Sequence, residues 1–273
     1  MSAYTVAATP RAGEAGAVAS AVASLPATFG PAAQDRAADV AVIAGEAGWT
    51  TEAVRAIRSG SRGILVVDPV PEGTKQLADA ARAAGAAVVL DLHWASNPAL
   101  INESGNPDAR DAVRGGLGTA SLMDSVATAA PGTDIQRLLA RHFAAVLAVS
   151  GPLYGAEVLR SDASGYTVSA RLANGAPFTA QGVLTGARPA GVDIHLYTAD
   201  GGVAVRVPEP DAAWPAEVRA TGAHGELLLP TLYESAHRAA WRRLKTHLSA
   251  GTLPADLPGF ARLTDLYATL AAT

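Results

Sequence analysis

Cysteine is missing from all 273 residues. That excludes disulfides, thiolate nucleophiles and cysteine-held zinc or iron–sulfur centres together. Lysine is nearly missing: Lys75 and Lys245 are the only two, so chemistry that requires an amine has two candidate positions. No apolar run approaches the ~20 residues needed to span a bilayer. The N-terminal "MSAYTVAATPRAGEAG" lacks the basic-then-apolar order of a secretory signal, and a cytoplasmic protein is expected. A concentrated basic face is lacking too, since 21 Lys and Arg against 25 Asp and Glu give a net charge of −4. Nucleic acid is thereby excluded as a partner. What is present is 49% hydrophobic and 17% charged residues, the balance of a folded chain with a large core.

The first part of the chain alternates short apolar runs with helical periodicity. Tyr4–Thr9, Val40–Ala44, Ile64–Val67 and Ala87–Leu92 are brief, rich in Val and Ile, and show no polar alternation. Strands buried on both faces of a parallel sheet have this pattern. Between them, Thr50–Ser59 and Gly73–Ala84 place Val54, Ile57, Leu77 and Ala81 at helical spacing and close on Gly60 and Gly85. From Val40 to Leu92 the order is that of a doubly wound α/β layer.

The character changes after the polar stretch Asn97–Asp111, read as the crossover between domains 1–100 and 101–273. Thr133–Val149 reads as a helix. Glu157–Arg160, Tyr166–Leu172, Phe178–Leu184, Val192–Thr198 and Gly202–Val207 read as strands of an antiparallel meander, with turn signals at 163–165, 173–175 and 199–202. Ser235–Leu248 and Phe260–Leu270 read as closing amphipathic helices that pack back on the first domain. The expected fold class is thus α/β followed by α+β: a truncated Rossmann-like parallel sheet, then an open antiparallel sheet with flanking helices.

On this order, and on the strings "ADVAVIAG", "SGSRGILVVDP", "AAGAAVVLDLHWASNPAL" and "YESAHRAAWRRL", the chain resembles the Gfo/Idh/MocA oxidoreductases. The resemblance implies NAD or NADP as cofactor, a sugar or polyol substrate, and homo- or hetero-oligomers built through the open sheet. Three landmarks of that family are altered. Its G-x-G-x-x-G loop corresponds to "RAGEAG", with Arg11 in the first glycine position and Gly13 and Gly16 in the others. Its Glu-Lys-Pro string corresponds to Val67, Asp68 and Pro69, an acid replacing the lysine. Its helix-borne His with a following Asp falls in "GTDIQRLLARHF", where Thr133 or Asp134 and Gln136 or Arg137 stand instead. Only 30 residues separate Thr9 from Asp39, so one strand and helix are missing from the nucleotide half, and the ribose-binding acid would fall near Asp35.

Ligands bind at the carboxyl ends of strands in open α/β sheets, which brings Glu46, Asp68 and His93 toward one crevice. Trp94 and Asn97 follow as an aromatic wall and an amide of a polyol pocket, with Asp134, Arg137 and His195 as further substrate contacts. Asp68 and His93 form the candidate acid–base couple; Arg11, Gly13, Gly16 and Glu46 are the candidate cofactor residues. Asp193, His195 and Tyr197 share one strand face but supply too few ligands for a metal, and no metal site is expected. His224, His237 and His247 are expected at the surface. Three functions compete: a degenerate or accessory subunit without effective dinucleotide binding, an NAD(P)-dependent sugar or cyclitol oxidoreductase, and a cofactor-independent lyase or isomerase using the Asp–His pair. The joint alteration of three landmarks favours the first, with no cofactor.

Overall fold

The computed structural model describes residues 3–32, 37–100, 107–210 and 214–271; Asp35 and the middle of the expected crossover lie outside them. The first sheet is built from β1 (Tyr4–Ala8), β2 (Phe29–Pro31), β3 (Val40–Ala44), β4 (Gly63–Val67) and β5 (Ala87–Asp91). Helices α1 (Pro10–Ala15), α2 (Val18–Ala23), α3 (Trp49–Arg58) and α4 (Lys75–Ala84) connect them. All its pairs are parallel, in the order β2-β1-β3-β4-β5. β3 follows β1 directly across the reversal of strand order, so among the described residues the nucleotide half has two strands outside β3 where three complete it.

Every residue of β4 is buried, and its two faces feed different cores. Ile64 and Val66 join the core shared with α3 and α4, whereas Leu65 and Val67 join the one containing Val40, Val42 and Val89. That arrangement explains the unalternating "GILVV": neither face meets water, so neither carries polar residues. Where β3 and β4 end, the chains touch. The Gly45 N–H donates to Val67 O at 2.8 Å and Val70 N–H to Gly45 O at 2.7 Å, and a Cβ at position 45 would lie 2.2 Å from the Pro69 Cα. Gly45→Ala is expected to cost at least about 2 kcal/mol, since rigid backbone must move; urea denaturation within 1 kcal/mol of the parent would contradict it.

The second half runs α5 (Pro107–Thr119), β6 (Leu122–Ala129), α6 (Ile135–Ser150), β7 (Tyr154–Asp162), β8 (Gly165–Arg171), β9 (Pro177–Leu184), β10 (Gly191–Thr198), β11 (Gly201–Pro208), β12 (Glu217–Gly222), β13 (Gly225–Leu229), α7 (Ala236–Ala250) and α8 (Asp256–Ala271). The eight strands order β13-β12-β11-β10-β6-β9-β8-β7. The sheet is antiparallel, as expected, except where β6, which precedes the helical crossover, inserts parallel to β9 at the centre. α7 lies under the first sheet, with Trp241, Leu244 and Leu248 in its lower core.

α6 docks on one face of the second sheet through His142, which is fully buried. The Ser125 hydroxyl donates to Asp193 O at 3.0 Å and lies 2.7 Å from His142 Nε2. Its one proton is thereby used, so His142 Nε2–H donates to Ser125 and Nδ1 accepts from the Tyr166 hydroxyl at 2.8 Å. Burial pushes the imidazole down to about 3 and the Tyr166 phenol well up, which keeps both neutral. The opposite sheet face carries Thr179, Gln181, Asp193, His195 and Arg206 in alternation with the buried residues. It is a mixed face, with Val183, Tyr197 and Leu228 exposed among these polar residues.

Candidate functional site

The crevice lies where the ends of β4 and β5 meet the N-terminal half of α6. Asp68, one residue past β4, sits at φ 50°, a left-handed conformation rare outside glycine. Its N–H is held by Asp91 O at 2.9 Å. Arg137 and Arg141, four residues apart on one face of α6, both close on its carboxylate. Arg137 Nε and Nη2 donate to Oδ2 at 2.9 and 2.6 Å. Arg141 donates from Nε to Oδ1 at 3.0 Å and from Nη2 to Oδ2 at 2.6 Å. Burial pushes the Asp68 carboxyl up, but the hydrogen bonds and charge of Arg141, with the charges of His93 and Arg137, hold it down at about 2. One carboxylate thus clamps two guanidinium groups, tying the first sheet to the helix that lies on the second.

His93 is in the same crevice, near enough for its charge to act on Asp68, but its ion-pair partner is another carboxylate. Its Nε2 lies 3.4 Å from Oε2 of Glu209, one residue past β11. The hydrogen bond from His93 is the main reason the Glu209 carboxyl titrates below its usual range, against the opposing effect of burial. With both Asp68 oxygens taken up by the arginines, the carboxylate that His93 meets directly is that of Glu209. Neither Glu209 nor Arg141 was singled out from the sequence. Arg141 was recoverable from its i, i+4 spacing to Arg137, while Glu209 follows a strand that sequence spacing alone does not carry toward β5.

The expected cofactor residues occupy the ends of β1 and β3. "RAGEAG" forms most of α1, with Thr9 as N-cap accepting from the Ala12 N–H at 3.4 Å and Pro10 in the first turn. Arg11 reaches across the strand ends and pairs with Glu46. Gly13 meets open space, so no close approach requires glycine there. Gly16 packs against Val67, where a Cβ would lie 2.7 Å from its Cγ2; that is the helix–strand contact for which a third glycine is needed.

Several expected substrate contacts are structural instead. Trp94 is buried in the main core and Asn97 is buried with its Oδ1 accepting from the Ala99 N–H at 3.0 Å, so neither lines a pocket. Asp134 is the N-cap of α6, accepting from the Gln136 N–H. His195 lies on the open face of the second sheet, where its register partner Asp124 is 3.1 Å away. Ser125, the next residue of that strand, faces α6, so His195 points away from the crevice. His237 is buried rather than at the surface, with Nδ1 2.5 Å from Oδ2 of the fully buried Asp91. A helix that is polar elsewhere hides this contact, because α7 turns only its first and apolar positions toward β5. Among the described residues no group of three or more His, Asp or Glu is placed to hold a metal ion.

Solved structures share this architecture. A 3-ketoreductase from Actinomadura kijaniata, solved with NADP and TDP-benzene, superposes with a TM-score of 0.69 at 14% identity, over 99% of this chain and 89% of that one. A UDP-N-acetylglucosamine 3-dehydrogenase from Acidithiobacillus ferrooxidans gives 0.69 at 11% identity, over 100% and 98%. This chain has the Gfo/Idh/MocA fold. No family model and no curated protein matches the sequence, and no helix among the described residues is long and apolar enough to cross a membrane.

The cofactor corner of this fold lies at the ends of β1 and β3. Pyrophosphate binding draws on free N–H groups in the first turn of the helix after β1. Here Pro10 has no N–H, the Ala12 N–H faces the Thr9 side chain, and α1 has only six residues. The Arg11–Glu46 pair spans the strand ends where the phosphates would approach. Fewer N–H groups are thus offered than in a full glycine cradle, while the groove lined by Thr9, Arg11, Glu46 and Gly48 is open at the strand ends.

Proposed function

We propose that this chain uses an oxidoreductase fold without its dinucleotide chemistry, as an accessory subunit that associates through the open face of the second sheet. The observation that carries the reading is the Asp68 carboxylate, whose two oxygens are taken up by Arg137 and Arg141. In the related family this position holds an amine beside the reacting carbon. A carboxylate clamped by two guanidinium groups neither donates a proton near neutral pH nor accepts one, so Asp68 is fastened rather than reactive. The open face, with Asp193, His195 and Arg206 in alternation, suits a polar, hydrated contact with a second chain.

The test is a titration with NADPH and NADH. A ligand at 100 times its Kd stabilises by about 2.7 kcal/mol, a rise of several degrees in Tm. No shift at about 100 times the Kd of an ordinary reductase is expected, together with no saturable change in nicotinamide fluorescence. Saturable binding of either nucleotide would return the chain to a second reading, an NAD(P)-dependent reductase of a sugar. That reading draws on Gly16, which keeps its helix–strand contact, and on the NADP complex of the Actinomadura neighbour. The His93–Glu209 couple favours a third, proton transfer on a small polyol without cofactor. His93→Gln abolishing nucleotide-free turnover of such a compound is its signature.

A further inference from the structure

Two helical turns beyond the Asp68 clamp, the same stripe of α6 opens a separate cavity. Ala144 and Ala148 lie seven residues past Arg137 and Arg141, so they face the same way along the helix. Their small side chains, opposite Gly259 and Phe260 of α8, leave a cavity of about 290 Å³, near the lower end of small-molecule sites. Leu92, Leu100, Leu147 and Leu263 supply further apolar wall.

The charged residues of the cavity do not balance. Asp256 is its one carboxylate, and both oxygens are engaged: Oδ2 by the Leu90 N–H at 2.8 Å and Oδ1 by Arg243. Arg243, however, retains a buried Nε–H that meets no acceptor, and such a donor signals a missing partner. Arg262, at the exposed rim, makes no ion pair or hydrogen bond among the described residues. The unmet donor is thus the buried Arg243 Nε–H, on a chamber lined mainly by apolar side chains, with a second, solvent-facing guanidinium at its rim.

We propose that this cavity binds a small apolar monocarboxylate, its hydrocarbon body against α6 and α8 and its carboxylate between Arg243 and Arg262. The site is independent of the crevice and of any dinucleotide. Octanoate and 3-phenylpropionate serve as probes on the full chain, with 1-octanol as the uncharged control, read by calorimetric titration and Tm. Saturable binding of at least one acid is expected, with octanol at least about tenfold weaker, the worth of one charge-assisted contact. Arg262→Gln is expected to weaken the acid by a similar factor, and Ala148→Phe, which fills the mouth from a partly exposed position, to abolish binding. Absence of saturable binding by both acids overturns the proposal. So does octanol binding as tightly as the acids, or acid affinity that neither variant changes. Arg262→Gln lies on the surface and keeps the test valid if Ala148→Phe fails to fold.

Discussion

An Asp68→Asn variant is expected to be less stable than the parent by about 2–3 kcal/mol at pH 7. Asparagine has the same shape and tolerates the left-handed backbone that Asp68 adopts, so the change removes charge and little else. It leaves Arg137 and Arg141 facing each other across a neutral amide. Removing one partner of a fully buried pair costs about 3–5 kcal/mol. The side chains here are 13%, 37% and 23% exposed for Asp68, Arg137 and Arg141, and solvent screening lowers the expectation below that range. The pH dependence supplies a second reading of the same number. A carboxyl held at about 2 in the folded chain contributes stability that is complete above its unfolded value near 3.8 and is lost as pH falls through 2. The parent and variant should therefore converge in strong acid. A difference under 1 kcal/mol at pH 7, by urea denaturation, would show that the clamp does not hold the two halves together.

Mild acid should destabilise the protein through a different group, His142. Its imidazole stays neutral in the fold down to about 3, while an unfolded histidine takes up a proton near 6.5. Stability from this group is therefore undiminished above pH 6.5 and falls as pH drops from 6.5 toward 3. At 1.36 kcal/mol per pH unit the loss is about 2 kcal/mol by pH 5 and about 5 kcal/mol by pH 3. The double variant His142→Leu/Tyr166→Phe removes the titrating group and its hydroxyl partner together, leaving Ser125 bonded to Asp193 O. Its unfolding free energy should change about 2 kcal/mol less than the parent's between pH 7 and 5. Equal slopes for the two proteins would refute the assignment.

The two predictions draw on residues that were unequally visible in the sequence. The parallel sheet was legible because burial on both faces writes itself as unbroken Val and Ile, as in "GILVV". β6 was not, because its inward face holds Ser125 beside Met123 and Ala127, and a hydroxyl that satisfies a buried histidine reads as surface. β12 and β13 were missed for a similar reason: an edge carrying Glu217, Arg219 and Glu226 shows too little apolar alternation. In the crevice, strand-end reasoning located Asp68, His93 and Glu46. It could not pair Asp68 and His93, since their partners come from α6 and from just past β11, about 70 and more residues away along the chain, whereas Glu46 sits apart from them at the β1 and β3 ends with Arg11. Trp94 and Asn97 misled because adjacency to His93 was taken for a shared direction, whereas the chain turns inward at once after β5.

The clamp also constrains how this sequence can change. Lysine at position 68, which the resemblance to the oxidoreductases would place there, now puts a third cation against Arg137 and Arg141 in a partly buried spot. That single step loses two attractions and adds two repulsions, and contacting residues do not contribute additively. Replacing either arginine first weakens the tie between the halves before any amine can be accommodated. Each one-residue path from Asp68 to a lysine crosses a less stable intermediate, so the carboxylate and its two arginines form a unit whose parts can be exchanged only together.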